Sequence, residues 1–380
     1  MKILHICSGY PDTGLYQNLL GELDANGIQQ IMYVPYKTSE IKNKRMLEHA
    51  AHVSYVFSSP HNKFDRLVYF SKVRKITKDI IDSIDLSDID LTHAHFLFSN
   101  GGAAYRLKKK MGIDYIVAVR NTDINVFFKY GIHLRKHGVA ILKEAKKIIF
   151  LSPAYKDYLI EHYIPSHLKD RIRDKSYVVP NGIDNFWLEN SYDTKELAAF
   201  SKTIRLVFVG ELNQNKNVMT ALGSVLRLKE KGFDVRFDII GTGPLENEIK
   251  TYIKTKHIRS NVTLHGYVND KNRLLAMYRE ADIFLMPSFH ETFGLVYIEA
   301  MTQGLPVIYS RGQGIDGYFE EGEVGYAVNP ASSEDISRKI ETIMDNYEAM
   351  NQQVINVVGE FKWSKIASVY QELYESKQEV

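Results

Sequence analysis

Short apolar runs and amphipathic stretches alternate along the chain. Runs such as Lys146–Leu151 and Ile204–Val209 are largely apolar, which is typical of strands buried on both faces of a parallel sheet. Turn and cap residues follow such runs, and Ser152 and Pro153 suit an N-cap and a first helical position. The repeated order of strand, turn and helix predicts an α/β fold with open parallel sheets and helices on both faces.

The alternating elements fall into two series. Between them, a turn at Pro180–Asp184 leads into a polar stretch that runs to about Lys202 with little periodicity, which indicates a domain boundary. We therefore expect an N-terminal domain at 1–190 and a second domain at 191–360. The predicted strands are Lys2–Cys7, Gln30–Pro35, Tyr115–Val119, Lys146–Leu151 and Ser176–Val179, then Ile204–Val209, Asp234–Ile240, Asn261–Leu264, Ile283–Met286 and Pro306–Tyr309, and Asp90–Phe98 is predicted to be a strand followed by a loop. The predicted helices include Leu15–Asn26, Val218–Lys231 and Leu295–Gln303.

The composition excludes several classes of protein. Of the 380 residues, 44% are apolar and 25% charged, which is ordinary for a globular chain and excludes a mostly disordered one. The single cysteine, Cys7, excludes a disulfide scaffold and a cysteine-based zinc site. The apolar start at Ile3–Cys7 is too short for a signal sequence, and no run of about 18 apolar residues occurs. We therefore expect a cytoplasmic protein, with peripheral attachment to the inner face of the membrane as the alternative.

The net charge of +2 conceals an asymmetry between the two halves. Residues 1–190 carry a net charge of +7 and the remainder −5. An anionic membrane, an anionic acceptor or a nucleic acid would each suit the basic half, but no nucleic-acid-binding motif accompanies the charge. Two segments, Phe64–Lys78 and Lys129–Lys147, mix basic with aromatic and aliphatic residues. They are either a peripheral membrane surface or solvated amphipathic faces.

The stretch Pro287–Pro306 contains the strongest candidate site. Glu291 lies in a turn, and Glu299 stands eight positions later in the predicted helix. The backbone N–H groups of Thr292–Gly294 and the helix N-terminus would suit a diphosphate, while the carboxylates would accept hydrogen bonds from sugar or ribose hydroxyls. Alternatively, Glu291 caps the helix and Glu299 lies on its solvated surface, and the spacing alone leaves both interpretations open.

Two further loops follow predicted strands of the second series. Lys216 comes after a turn containing Gly210 and stands at the head of a helix, where it can reach a phosphate or remain solvated. Gly241 and Gly243 follow the next strand and permit close approach of the backbone to a ligand, although glycine-rich turns alone are a weak signal.

In the first half, three sites invite comparison. The loop Ser8–Gly14 follows the first strand, and Arg120–Asp123 follows a buried strand, which is a usual place for site residues. His93 and His95 present two imidazoles on the same side of an extended segment. They suit a metal, but no third ligand is evident in the sequence, so a packed or hydrogen-bonded role is favoured.

These motifs together resemble glycosyltransferase family 4, whose members are retaining nucleotide-sugar transferases of the GT-B fold. The resemblance covers nearly the whole chain and is strongest in 204–330. It implies two Rossmann-like, doubly wound parallel-sheet domains that face each other across a cleft, with a C-terminal helix at 361–380 that crosses back to the first domain. The segments that carry it are Val179–Asp184, Phe208–Asn217, Ile240–Pro244, Leu264–Val268, Pro287–Val307 and Trp363–Tyr374.

The resemblance also implies a role for each candidate residue. Lys216 would contact the donor diphosphate, Glu291 would hold the hydroxyls of the transferred sugar, and Glu299 would hold the ribose. The other residues expected at the donor are Gly14, Gly210, Gly241, Gly243, Tyr267, Val268, Phe293, Gly294 and Leu295. The implied donor is a UDP- or GDP-sugar, used without an essential metal or other cofactor. The implied acceptor is a hydroxyl of a glycan on a lipid carrier, in the synthesis of surface polysaccharide or glycoconjugates.

The chain departs from the family pattern at two positions. Glu211 stands where the family usually has arginine, and we expect it to turn away from the diphosphate or another cation to replace the arginine. Arg120 stands where the family often has histidine, and we hypothesise that it supplies positive charge or contacts the acceptor. A non-catalytic GT-B partner of a glycosylation complex and a nucleotide-sugar 2-epimerase remain alternative interpretations.

Overall fold

The computed structural model describes residues 1–36, 43–61, 68–192 and 203–376. The chain forms two compact units. The first comprises Met1–Leu151, Tyr155–Gly182 and the chain from Trp363 onwards, and the second comprises Ser152–Ala154 and Ile183–Lys362. Among the described residues, the helices are all too short or too polar to span a bilayer.

The first unit is built on a sheet of seven parallel strands in the order β3-β2-β1-β4-β5-β6-β7. Its central strands are buried on both faces because helices cover each side. The strands are β1 Lys2–Ile6, β2 Gln29–Pro35, β3 Val53–Ser58, β4 Leu91–Ala94, β5 Tyr115–Val119, β6 Lys147–Phe150 and β7 Ser176–Val178. The helices are α1 Leu15–Ala25, α2 Tyr69–Ser83, α3 Ser99–Met111, α4 Arg135–Glu144, α5 Pro153–Tyr163, α6 Lys169–Asp174 and, at the end of the chain, α14 Trp363–Glu375.

The second unit contains six parallel strands in the order β10-β9-β8-β11-β12-β13. The strands are β8 Thr203–Val209, β9 Asp234–Ile240, β10 Val262–Gly266, β11 Ile283–Leu285, β12 Val307–Ser310 and β13 Gly325–Val328. The helices are α7 Asn185–Glu189, α8 Val218–Glu230, α9 Glu246–Thr255, α10 Lys271–Glu280, α11 Leu295–Met301, α12 Ser333–Asp345 and α13 Tyr347–Val357. The predicted α/β class with two doubly wound parallel sheets is thus confirmed.

Both sheets reverse their strand order at one point. In the first unit β1 lies between β2 and β4, and in the second unit β8 lies between β9 and β11. The loops that leave the two strands at such a point run to opposite faces of the sheet, and a crevice opens beyond their carboxyl ends. In each unit, the loops that follow these strands are therefore the expected place for a ligand.

The units differ from the predicted boundaries near residue 190. The first unit gives way to the second after Gly182, because α7 packs within the second unit. There, Trp187 contacts the Tyr278 ring at 5.5 Å between centroids, and Arg279 donates a hydrogen bond to the carbonyl of Asn190. Of the polar stretch that suggested the boundary, residues 193–202 lie outside the described part of the chain.

The basic segment Phe64–Lys78 contains the first ten of the fifteen residues of α2, while its residues 64–67 lie outside the described part. Tyr69, Val73 and Ile76 are buried in the core of the first unit. The apolar side of this helix is therefore occupied by the protein interior, as for a solvated amphipathic helix.

Candidate active site

Two loops of the second unit meet beyond the carboxyl ends of β8 and β11. Asn215, in the loop after β8, accepts a hydrogen bond from the N–H of Phe289 through its carbonyl, and its side-chain amide donates to the carbonyl of His290 at 2.8 Å. Asn217 is buried, and its amide donates to the carbonyls of Pro287 and Pro330 at 2.8 and 2.6 Å. These two asparagines fix the loops against each other, a positioning role that the sequence analysis missed.

Lys216 and Glu291 form an ion pair across these loops. The Lys216 Nζ lies 2.5 Å from the Glu291 Oε2, and the side chains are only 24% and 12% exposed. The backbone N–H of Lys216 also donates to the side-chain oxygen of Asn213 at 2.9 Å. The structure therefore brings together the two residues predicted to hold the diphosphate and the transferred sugar.

The position of Glu291 is fixed by a third loop, which follows β12. The N–H of Glu291 donates to the Gln313 side chain at 3.2 Å, and the N–H of Gly314 donates to the Glu291 carbonyl at 2.8 Å. The carboxylate itself accepts a hydrogen bond from the N–H of Thr292 at 3.1 Å. The N–H of Thr292 is thus already engaged within the turn. The sequence had suggested that this N–H, like those of Phe293 and Gly294, would be available to a diphosphate.

The start of α11 depends on a glycine. Gly294 has a φ of +85°, and a Cβ there would overlap the ring of Tyr297, whose hydroxyl donates to the carbonyl of Met286 at 2.6 Å. The side chain of Phe293 is buried against Phe361, so only its backbone remains available to a ligand. Leu295 is the half-buried first residue of α11.

One interpretation of the sequence placed Glu299 on a solvated helix surface. In the structure Glu299 is instead half-buried on α11. Burial raises its pKa to about 7, and the nearby charge of Asp184 acts in the same direction. The charge of Lys271, which pairs with Asp184, opposes this rise. Glu299 thus changes its charge near neutral pH, and a ligand that donates hydrogen bonds to it would favour the ionised form.

Gly241 and Gly243 are explained by the packing of two loops. Gly241 has a φ of +142°, and a Cβ there would overlap the carbonyl oxygen of Gly210, whose own N–H donates to Ile240 at 3.0 Å. A Cβ on Gly243 would come within 2.5 Å of the backbone of Leu212. The close approach is thus between the loops after β8 and β9, whereas the prediction considered an approach to the ligand.

Tyr267 and Val268, which were predicted to lie at the donor, and Glu211, which departs from the family pattern, lie in two loops of the second unit. Tyr267 follows β10 and is 72% exposed, while Val268 is half-buried. Glu211 is exposed and accepts a hydrogen bond from the Asn213 side chain at 2.8 Å. An aromatic ring this exposed makes little contribution to the core and offers a flat surface to a base.

In the first unit, Arg120 follows β5 next to a fully buried carboxylate. The Arg120 Nε donates to the carbonyl of His95 at 3.2 Å, and the guanidinium lies 6.0 Å from the Tyr16 ring centroid. Asp123 accepts hydrogen bonds from the backbone N–H groups of Arg120, Leu97 and Phe98 at 2.9 to 3.2 Å. Asp123 thus accepts its hydrogen bonds from the backbone and acts on Arg120 through its charge.

Gly14 stands directly before α1, at the carboxyl end of β1. An added Cβ would lie 3.4 Å from the guanidinium of Arg45, whose Nε donates to the carbonyl of Pro11 at 3.3 Å. A cation, Arg45, therefore lies beside the loop after β1. It was not evident in the sequence because Arg45 is distant from Gly14 along the chain.

His93 and His95 are packed in the interior, as the favoured interpretation had it, and a third imidazole that was not evident in the sequence lies beside them. His5 on β1 is the cross-strand neighbour of His93, and its Nδ1 lies 3.1 Å from the Nε2 of His95. All three rings are fully buried. Burial lowers the pKa of His5 to about 3 and that of His93 and His95 well below the usual value, so the rings are neutral at pH 7.

Comparison with known proteins identifies the class of this protein. The family described as Glycosyltransferase Family 4 matches residues 15–185, and Glycosyl transferases group 1 matches residues 191–357. An uncharacterized glycosyltransferase of Methanocaldococcus jannaschii is 26% identical over 98% of this chain and 99% of its own. A D-inositol 3-phosphate glycosyltransferase of an Arthrobacter species is 25% identical over 75% of this chain and 70% of its own.

Solved structures agree on the fold. Sucrose-phosphate synthase from Thermosynechococcus elongatus has a TM-score of 0.73 at 19% identity, covering 98% of both chains. Anabaena HepE in complex with UDP has a TM-score of 0.71 at 16% identity, covering 99% of this chain and 100% of its own. The protein is therefore a glycosyltransferase with the GT-B fold. Within that class, the chain belongs to glycosyltransferase family 4, since the family 4 model matches its first half and the group 1 model matches its second half.

Proposed function

We propose that this enzyme transfers a hexosyl or N-acetylhexosaminyl group from a UDP- or GDP-sugar to a hydroxyl of a glycan acceptor. The observation that carries the proposal is the ion pair of Lys216 and Glu291, held beyond the strands where the second sheet reverses its order. A cation there suits a diphosphate, and a carboxylate beside it suits sugar hydroxyls. The UDP bound to Anabaena HepE, which shares the fold, supports a nucleotide donor.

In this proposal the ion pair opens when the donor binds. The diphosphate replaces Glu291 as the anion paired with Lys216. Glu291 is then free to accept hydrogen bonds from the transferred sugar. Lys216 then stabilises the negative charge that develops on the leaving diphosphate. The transfer retains the configuration of the sugar, with the diphosphate accepting the proton of the acceptor hydroxyl on the same face. No metal is needed for this step, because the chain itself supplies the cation.

Glu299 and the residues after β10 bind the nucleoside in this scheme. Glu299 accepts hydrogen bonds from the ribose hydroxyls, and Tyr267 and Val268 lie against the base. The backbone at Phe293, Gly294 and Leu295 adjoins the transferred sugar. Gly210, Gly241 and Gly243 let the neighbouring loops pack closely, which leaves room for the diphosphate to approach. Gly14 is proposed to have the same role in the loop after β1 of the first unit.

The donor is identified by thermal shift and slow hydrolysis with UDP-, GDP- and ADP-sugars, with and without EDTA. One nucleotide sugar should raise the melting temperature and be hydrolysed at the same rate in EDTA, and Glu291→Ala should abolish the hydrolysis. The anomeric configuration of the product, read by NMR, tests retention. Failure of all the nucleotide sugars to bind would contradict the proposal and favour the non-catalytic GT-B partner.

Arg120 is proposed to contact an anionic group of the acceptor or to add positive charge at the donor. Within the described part of the chain, its guanidinium forms no ion pair with a carboxylate, and the nearby Asp123 accepts its hydrogen bonds from the backbone, which supports this role. Arg120→Ala should lower turnover far more than it lowers the melting temperature, and Arg120→Lys should restore part of the activity. Equal losses of turnover and stability would make Arg120 a structural residue.

The acceptor is proposed to be carried on a lipid in the synthesis of surface polysaccharide, with the first unit in peripheral contact with the membrane. Its charge supports this, because residues 1–190 carry a net charge of +7. Val126, Tyr130 and Ile132 are between 50% and 70% exposed and lie beside Lys129. Apolar side chains next to a cation suit the interface of an anionic bilayer.

A further inference from the structure

Three histidines of the first unit form a buried cluster that the proposed transfer does not use. His93 and His95 are two positions apart at the end of β4 and so lie on one face, and His5 is paired with His93 on the adjacent strand β1. Their ring centroids lie 4.0 to 5.4 Å apart, and all three side chains are fully buried. Each ring offers a nitrogen within 4.8 Å of the others.

The nitrogens of this cluster are incompletely satisfied. Among the described residues, the His93 Nε2 and the His95 Nδ1 are buried without a hydrogen-bond partner, while the buried His5 ring interacts with the side chain of Gln30. A buried polar atom without a partner is uncommon in a native protein and calls for a specific explanation, such as an ion. An ion would account for the His93 Nε2; its other ligands would be the His5 Nδ1 and the His95 Nε2, which lie 3.1 Å from each other. The cluster therefore contains more lone pairs and N–H groups than its surroundings satisfy.

The geometry is compatible with a bound cation. The His5 Nδ1 and the His95 Nε2 are 3.1 Å apart. In tetrahedral zinc sites with Zn–N bonds of about 2.0–2.1 Å, two nitrogen ligands are separated by roughly 3.3 Å. His93 is already oriented, because its Nδ1 lies 2.7 Å from the Tyr374 hydroxyl. If Nδ1–H donates to that oxygen, the Nε2 lone pair is free to bind a metal, as is usual for metal-binding histidines.

We propose that His5, His93 and His95 bind a divalent transition metal, zinc in particular, at a structural site of the first unit. Three imidazoles suit zinc, which would complete its four-coordinate shell with a water molecule, and the complete burial of the three rings separates the ion from substrate. The ion would join β1 to β4 and, through Tyr374, to α14. It would also steady the His95 carbonyl that accepts the hydrogen bond from Arg120. It takes no part in the transfer step, so this inference is independent of the proposed function.

The metal is first measured in the wild-type protein. Purified chain should contain about one zinc ion after dialysis against EDTA, because a buried site exchanges slowly. If the purified chain lacks metal, it is unfolded and refolded with zinc or cobalt(II). Refolding with zinc should raise the melting temperature, and cobalt should give the visible absorption of tetrahedral nitrogen coordination. A folded chain that retains no stoichiometric metal and gives neither signal would overturn the proposal.

Variants then assign the site to the three histidines. His93→Gln should lose the metal, while His137→Gln, which alters a half-buried histidine outside the cluster, should keep it. Tyr374→Phe removes only the hydrogen bond to His93 and should weaken zinc binding 10- to 100-fold in competition with a chelator. Unchanged affinity in Tyr374→Phe together with metal retained in His93→Gln would place the ion elsewhere and reject this site.

Discussion

At the scale of single residues, the ion pair of Lys216 and Glu291 gives the two side chains opposite effects on nucleotide binding. Glu291→Gln frees Lys216 and removes a negative charge beside the diphosphate. It should bind UDP as tightly as the wild type or more tightly, yet transfer sugar about 100-fold more slowly. Lys216→Gln should lose both binding and transfer. Isothermal titration and initial rates separate these outcomes.

A matched control is Lys231→Gln, which breaks the surface pair of Lys231 with Glu341 in the same unit. It should leave both nucleotide affinity and turnover unchanged. If Glu291→Gln weakened UDP binding as strongly as Lys216→Gln, the ion pair would not open on binding, and the exchange of partners described above would be wrong.

Glu299 gives a pH dependence to donor binding. Its pKa of about 7 in the free protein leaves the carboxyl neutral below that pH and ionised above it. Because the ribose hydroxyls donate to the carboxylate, affinity for the donor should rise with pH through about 7. Below the pKa it should fall by up to about tenfold per pH unit. Titration with an intact nucleotide sugar at pH 6, 7 and 8 measures this slope.

Glu299→Gln should remove the pH dependence of donor affinity, since the amide does not titrate. Glu291→Gln serves as the control and should keep the slope. A slope that persisted unchanged in Glu299→Gln would assign the titration to another group and leave Glu299 without the proposed contact to the ribose.

At the scale of elements, the start of α11 tests how much the site depends on backbone conformation. Gly294 and Gly232 both have positive φ values, +85° and +91°, but only Gly294 has a ring where a Cβ would go. Gly232→Ala should cost about 1 kcal/mol of unfolding free energy from strain alone. Gly294→Ala should cost about 1–3 kcal/mol more because Tyr297 must move.

Denaturant unfolding measures both glycine variants on the same scale. Gly294→Ala should also weaken donor binding, since Glu291 lies in the turn that this glycine closes, whereas Gly232→Ala should bind normally. Equal destabilisation by the two substitutions would mean that Tyr297 yields without cost, and the glycine would then be required only for its φ.

Strands whose residues form an uninterrupted apolar run could be predicted from the sequence. Elements that are only partly buried were not predicted. β5 and β11 lie where the sequence places them because a strand buried on both faces forms an uninterrupted apolar run. The edge strand β3 is half-exposed, and β13 begins at Gly325, which resembles a turn residue in sequence. Short amphipathic helices such as α9 were not predicted either, since ten residues contain too few helical turns to show a clear apolar periodicity.

The site was predictable where its residues share one local motif and not where they converge from distant segments. The spacing of Glu291 and Glu299 is visible in the sequence, as is the lysine at the head of α8. Gln313 reaches Glu291 only because the loop after β12 returns beside α11. His5 joins His93 only because β1 pairs with β4, a strand order that no local pattern specifies.

At the scale of the whole molecule, the two units divide the tasks of the proposed reaction. The second unit carries the residues proposed for the donor, and the half of the chain that contains it bears an excess of acidic residues. The first half carries a net charge of +7. Charge of this sign would attract an anionic membrane or acceptor within about one Debye length, roughly 8 Å at physiological salt.

This asymmetry predicts that membrane contact is electrostatic in origin and is completed by apolar side chains. The protein should sediment with phosphatidylglycerol vesicles at low salt, and less so with neutral vesicles or at high salt. Tyr130→Ser combined with Ile132→Ser should weaken binding on the order of 100-fold, because two side chains, 70% and 67% exposed in the free protein, would no longer enter the interface. Met111→Ser, at an exposed position on α3, should bind as the wild type does.

If the double variant sedimented unchanged, the membrane contact would not involve the segment that contains Tyr130 and Ile132. Vesicle binding that did not depend on salt would argue against the charge of the first half of the chain as the cause of the contact.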